Sequence, residues 1–138
     1  YTTPSHQLPT NVTMSPERRH ALLDRSREED FLIIEDDYEL ETNYVGEPLP
    51  ALKSSDRDGR VIYVGSFSKT LFPGLRLGFV VADPALIAEM RALRRLMVRH
   101  PPMNNQRSFC LGVCSFEDDV IDAGSARLEH VFLLHAVN

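Results

Sequence analysis

Cysteine is scarce in this 138-residue chain, which has only Cys110 and Cys114. With no second pair and no histidine at zinc-finger spacing beside them, they make no structural metal site and read as free thiols. Basic charge is in deficit too: 15 Lys and Arg against 20 Asp and Glu leave a net charge of -5. Outside the helix-like 91–99 stretch no basic cluster stands, so nothing here argues for nucleic-acid binding by this segment itself, and any DNA-binding module is expected elsewhere. No apolar run approaches the roughly 20 residues of a membrane span. No signal-peptide pattern opens the chain, and both absences fit a cytoplasmic protein without a membrane partner. The sequon Asn11-Val12-Thr13 then carries no meaning. What is present, 43% hydrophobic residues, suffices for one modest globular domain with a real core.

The richest chemistry lies at 65–78, G-S-F-S-K-T-L-F-P-G-L-R-L-G. Val61-Ile62-Tyr63-Val64 before it and Phe79-Val80-Val81 after it read as buried strands, which places Lys69 on a loop held by rigid neighbours. Ser66 and Ser68 offer hydroxyls there, Lys69 an amine, and Arg76 a planar guanidinium suited to gripping a phosphate. Together they suit one phosphorylated carbonyl ligand, whereas a lone Lys and Arg in a loop would read as an ordinary turn with surface charges.

Elsewhere, Pro4-Ser5-His6-Gln7-Leu8-Pro9-Thr10 is too rich in proline and small polar residues for helix or central strand and reads as a loop. Asn11 follows it, a residue that tolerates left-handed backbone better than most. Ser15-Pro16 is a helix start, with Leu22 and Leu23 on the apolar face of a helix reaching about residue 30. The run Phe31-Leu32-Ile33-Ile34 reads as a buried strand that breaks into Glu35-Asp36-Asp37-Tyr38-Glu39, a carboxylate cluster where ligands bind in open α/β sheets, although three adjacent acids can also be a solvated loop. If the extended backbone continues through Tyr38, Asp36 and Tyr38 point to one side and Asp37 to the other. Residues 41–58 read as a long surface excursion without a sustained period. Asp83-Pro84 starts a second helix with Leu86, Ile87, Met90, Leu93 and Met97 at helical spacing, and Arg91, Arg94, Arg95 and Arg99 on its solvated face.

The pattern S-x-S-K-T, followed seven positions after the lysine by R and then L-G, resembles the Schiff-base segment of fold-type I pyridoxal 5'-phosphate enzymes. The fuller text V-I-Y-V-G-S-F-S-K-T-L-F-P-G-L-R-L-G is most similar to the aminotransferase-like domain of the MocR/GabR branch of GntR-type bacterial transcription regulators. The likeness covers about residues 1–107, including T-P-S-H-Q-x-P-T, where Asn11 stands in place of the usual glycine. It implies an α/β fold, the central and incomplete part of a PLP-dependent transferase large domain, with a mostly parallel sheet, strands near 31–35, 61–64 and 78–82, and flanking helices. It implies pyridoxal 5'-phosphate as cofactor and Lys69 as the residue of the internal aldimine. Asp36 would pair with the pyridine nitrogen and Tyr38 with the phenolic oxygen, Ser66, Ser68 and Arg76 would anchor the cofactor, and His6 and Gln7 would lie close to its ring. A carboxylate beside that nitrogen favours its protonated form, which makes the ring a better electron sink.

As partners the resemblance implies an amino-compound effector or substrate, DNA only through a winged helix-turn-helix upstream of Tyr1, and a homodimer for the full-length protein. The chain begins as though cut in mid-strand, so an upstream part is expected. Residues 108–138 lack the family's pattern and are expected to be a divergent or frame-shifted tail. The rival readings are a fragment of a free-standing aminotransferase and a non-functional truncated product.

Overall fold

The computed structural model describes residues 1–7, 9–37, 49–67, 77–97 and 131–135. Its elements are α1 (Pro16–Glu28), β1 (Ile33–Asp37), a 3₁₀ turn at Leu52–Ser55, β2 (Val61–Ser66), β3 (Leu77–Val81), α2 (Pro84–Met97) and β4 (Val131–His135). The strands form one sheet in the order β1-β2-β3-β4.

Both helices begin where their caps dictate. The Ser15 hydroxyl accepts from the Arg18 N–H, and Pro16, which has no N–H to leave unpaired, takes the first turn of α1. The Asp83 carboxylate accepts from the Ala85 N–H at 2.9 Å, which starts α2. Asn11 adopts φ 55°, the left-handed backbone its side chain tolerates, and its N–H closes a tight turn on the Gln7 carbonyl at 2.7 Å.

Alternation along β2 assigns the two helices to opposite faces of the sheet. Val61 packs with Ile33, Leu52 and Leu23 of α1. Its neighbour Ile62, together with Val64, packs with Val80, Ala82 and Ile87 of α2. Ile87 and Val61 have no exposed surface, and burying such side chains contributes about 1.5–3 kcal/mol each.

Four expectations need correcting. The first strand is Ile33–Asp37, not 31–35, and the acids do not break out into a loop. Residues 35–37 stay extended because β1 pairs through Asp37↔Gly65 on one edge and accepts Thr2 on the other, with Thr2 N–H on the Ile34 carbonyl at 2.9 Å and Asp36 N–H on the Thr2 carbonyl at 3.0 Å. The sheet is mixed rather than mostly parallel: β1–β2 is parallel, while β2–β3 and β3–β4 are antiparallel. A parallel return needs a crossover of about a dozen residues or more, and the connection after Ser66 is shorter than that. The excursion at 41–58 is not all surface, since Leu52 is buried at 1% exposure. On α2, Ile87 is buried with Leu86 and Met90 packed beside it, but Leu93 and Met97 of the expected apolar face are exposed.

Gly65 is required by a close approach. A Cβ there would meet the Phe79 Cζ at 2.5 Å, and that ring cannot easily retreat because Phe67 lies 4.8 Å from it and Tyr63 5.8 Å, centroid to centroid. Gly65→Ala is expected to cost about 1–3 kcal/mol, the usual range for overpacking. A lowered urea midpoint with an unchanged slope checks it.

Candidate functional site

Because β1 and β2 are parallel, their carboxyl ends open on the same edge of the sheet, where ligands bind in open α/β sheets. The antiparallel β3 begins at that edge, and the Phe67 N–H donates to the Leu77 carbonyl at 3.0 Å. That bond ties together the two ends of segment 68–76, which carries Ser68, Lys69 and Arg76. These three and Tyr38 lie outside the described residues, as do Cys110 and Cys114. Asp36, Ser66, His6 and Gln7 are described.

The structure brings Asp36 and Ser66 to one face. Asp36 is paired in register with Val64, and Ser66 lies two residues further along the same strand, so both belong to the α2 face. Standard strand spacing and a two-residue rise put their Cα atoms about 8 Å apart. The Asp36 carboxylate is half-buried and accepts from the Tyr1 hydroxyl at 2.6 Å.

Asp37 points the other way, as alternation requires, and is 6% exposed. It accepts from the Ser5 hydroxyl at 3.2 Å. Burial, the largest influence, pushes its carboxyl above the usual range, against Ser5, Arg19 and His6, which lower it, while Asp36 adds to the rise. His6 stands near enough to Asp37 to act on that carboxyl, and its Nδ1 is buried without a hydrogen-bond partner among the described residues. Gln7 is exposed, and its main chain serves the turn to Val12.

Two buried charged residues escaped the sequence reading. Arg19 stands with Leu23 and Ser26 on the buried stripe of α1 and donates to the Met14 carbonyl at 3.0 Å and the Pro50 carbonyl at 2.6 Å. Glu35 is wholly buried and receives the N–H groups of Leu52 at 2.6 Å and Lys53 at 2.8 Å. Burial pushes the Glu35 carboxyl up, these two N–H groups pull it down, Asp37 pushes with burial and Arg19 against it. Neither residue has a sequence signal beyond its spacing: Arg19 falls four before Leu23, and Glu35 falls two after Ile33. Glu35→Ala leaves two buried N–H groups unpaired, each costing about 1–3 kcal/mol. A drop of about 2–4 kcal/mol in unfolding free energy is expected by urea titration, with Glu35→Gln losing less because its amide oxygen still accepts one of them.

The class I and II aminotransferase family model matches residues 3–123, and the chain belongs to that family. Residues 108–123 of the expected divergent tail fall inside this match. The chain is 54% identical over 110 residues to the HTH-type transcriptional regulator TauR of Rhodobacter capsulatus, covering 80% of this chain and 23% of TauR. It is 43% identical over 95 residues to aromatic-amino-acid aminotransferase 1 of Thermococcus litoralis, covering 69% of this chain and 23% of the enzyme. The kynurenine aminotransferase of Pyrococcus horikoshii, solved with PMP, superposes with a TM-score of 0.66 at 44% identity, over 71% of this chain and 24% of its own. The chain thus spans about a quarter of the length of these relatives.

Family membership implies pyridoxal 5'-phosphate as the cofactor. The donor set fits it: a carboxylate that can accept a ring N–H and a hydroxyl that can meet a phosphate stand on one face at the carboxyl ends of parallel neighbours. No helix among the described residues is long and apolar enough to cross a membrane.

Proposed function

We propose that this segment holds pyridoxal 5'-phosphate in the aminotransferase-like domain of a MocR/GabR-type transcription regulator and so responds to an amino compound or to the cofactor itself. The observation that carries the cofactor site is the sharing of one face by Asp36 and Ser66, with the two ends of the Lys69 segment tied at the same edge. A spacing of about 8 Å suits one ligand with a ring nitrogen at one end and a phosphate at the other.

Bound there, the cofactor supplies an electron-withdrawing ring for chemistry at the carbon bearing an amino group. Asp36 would keep a proton on the ring nitrogen, and Tyr38 would donate to the phenolic oxygen. Ser66 and Ser68 would orient the phosphate through their hydroxyls, and Arg76 would neutralise it. Lys69 would provide the amine that holds the cofactor and would serve as a proton carrier when free. His6 and Gln7 are secondary site residues. Of these two, His6 also acts on the carboxyl of Asp37.

The regulatory reading is supported by the 54% identity to TauR. A free-standing aminotransferase is the second reading, favoured by the 43% identity to the Thermococcus litoralis enzyme. Under the first, a longer protein containing this segment and a winged helix-turn-helix shifts an operator fragment in a gel, and an amino compound or the cofactor alters that shift. Turnover without any DNA binding by the longer protein would establish the second. For the 138-residue chain alone, no conversion of amino acid to keto acid is expected, because a site of this kind is assembled from more chain than a quarter of the relatives' length. A turnover lost on Lys69→Ala would overturn that expectation.

A further inference from the structure

Resting on the cofactor site proposed above, we propose that Tyr1 is a positioning residue for Asp36, holding one oxygen of its carboxylate so that the other is presented to the ring nitrogen. The hydroxyl of Tyr1 donates to Asp36 Oδ2 at 2.6 Å, at the short end of the range and typical of a hydroxyl on a charged acceptor. Among the described residues Tyr1 is the side-chain partner of that carboxylate. The contact has a structural basis on the backbone. Thr2 pairs in parallel with Glu35, through Thr2 N–H on Ile34 O at 2.9 Å and Asp36 N–H on Thr2 O at 3.0 Å. Thr2 therefore shares the face of Glu35, and alternation turns Tyr1 to the face of Asp36.

An aspartate carboxylate turns about a broad, roughly two-fold torsion. Left untethered on a half-open face, it would present its oxygens in many directions, and binding a ring N–H would cost the freedom it loses. A donor fixed by strand pairing removes that freedom beforehand, which is preorganisation. Aspartate has about four lone-pair sites, so accepting the phenol at Oδ2 leaves Oδ1 available to a second donor. The phenol also adds no charge, so the ring nitrogen still meets a full carboxylate.

The test is a double-mutant cycle in a longer protein that contains this segment, read as the dissociation constant for pyridoxal 5'-phosphate and as the pH dependence of the bound cofactor's absorption. Tyr1→Phe keeps the ring and removes the hydroxyl. It is expected to weaken cofactor affinity about three- to tenfold, below the usual range for a hydrogen bond to a charged group because the contact is exposed. It should also move the pH dependence of the absorption band. In the Asp36→Asn background the same change should have no further effect, the signature of two residues acting as one. If Asp36→Asn weakens binding and Tyr1→Phe does not, the positioning role is wrong and the site reading stands. If neither changes binding, the site reading itself fails and takes the inference with it. A Tyr1→Phe loss that persists undiminished beside Asp36→Asn would mean that Tyr1 acts through the fold. Tighter binding by Tyr1→Phe would show that the phenol competes with the cofactor for Asp36. Either result overturns the proposal.

Discussion

In a longer protein containing this segment, Lys69→Ala is expected to abolish the visible absorption band that appears when pyridoxal 5'-phosphate is added. The loss should be complete, because the band reports a covalent link that only an amine can form. The chain has two lysines, Lys53 and Lys69. Lys53 is occupied: its ammonium donates to the Asp56 carboxylate at 2.9 Å and to the Val61 carbonyl at 2.7 Å. It also stands at the amino end of β2, opposite the edge where Asp36 and Ser66 lie. Lys53→Ala is thus the control. It should leave the band intact while lowering stability, since it takes a cation from Asp56, whose carboxyl is held below its usual range by Lys53 and by the N–H groups of Val61 and Arg60, against burial, the largest single influence. A band that survives Lys69→Ala and vanishes with Lys53→Ala would refute the assignment.

The second large effect separates two adjacent aspartates. Asp36→Asn is expected to weaken cofactor binding by about tenfold to a hundredfold, the value of a hydrogen bond to a charged group, and Asp37→Asn to change it much less. The reason is the face each occupies: Asp36 lies with Ser66, whereas Asp37 is buried on the side of Ser5, His6 and Arg19. Asp37→Asn should instead show itself in the pH dependence of unfolding. A carboxyl raised in the folded state binds its proton more tightly there than in the unfolded chain. The stability it contributes is fully present below about pH 4, its ordinary range, and is lost as pH rises through the raised folded value. Glu35 and Asp37 both carry this sign. Asp37→Asn should flatten the fall in stability above about pH 4, measured by urea midpoints across that window. Equal loss of cofactor affinity from both substitutions would mean that alternation along β1 does not decide which acid meets the ligand.

Much of this arrangement was legible before the structure. Ser15-Pro16 and Asp83-Pro84 announced the two helices, because a capping oxygen and a proline at the first turn are local chemistry that tertiary contacts rarely overrule. The family resemblance and the α/β fold were also legible, since the 65–78 stretch carries several chemically demanding residues at fixed spacing. What could not be read were the fates of Glu35, Asp37 and Arg19. Their burial depends on partners far along the chain, namely the N–H groups of Leu52 and Lys53 for Glu35 and the carbonyl of Pro50 for Arg19. A run of acids looks like a place where a strand must stop, and only those distant donors explain why it continues. The mixed sheet was missed for a local reason. The expected bounds of 61–64 and 78–82 left room for a parallel crossover, whereas β2 runs on to Ser66 and β3 starts at Leu77, which makes the connection too short for one.

The Phe67–Leu77 bond has a bearing on how the protein assembles. β2 and β3 are antiparallel and joined by a short segment, so they can pair after a brief search, as hairpins do within about 1–10 μs. The parallel pairing of β1 with β2 must wait for a longer loop to close and for Glu35 to find its two donors, and such non-local contacts come late because their closure entropy precedes any reward. The hairpin that carries the lysine segment should therefore form ahead of the strand that carries the acid. Slowing would follow substitutions at Gly65 or Phe79, whereas Glu35→Ala would chiefly hasten unfolding.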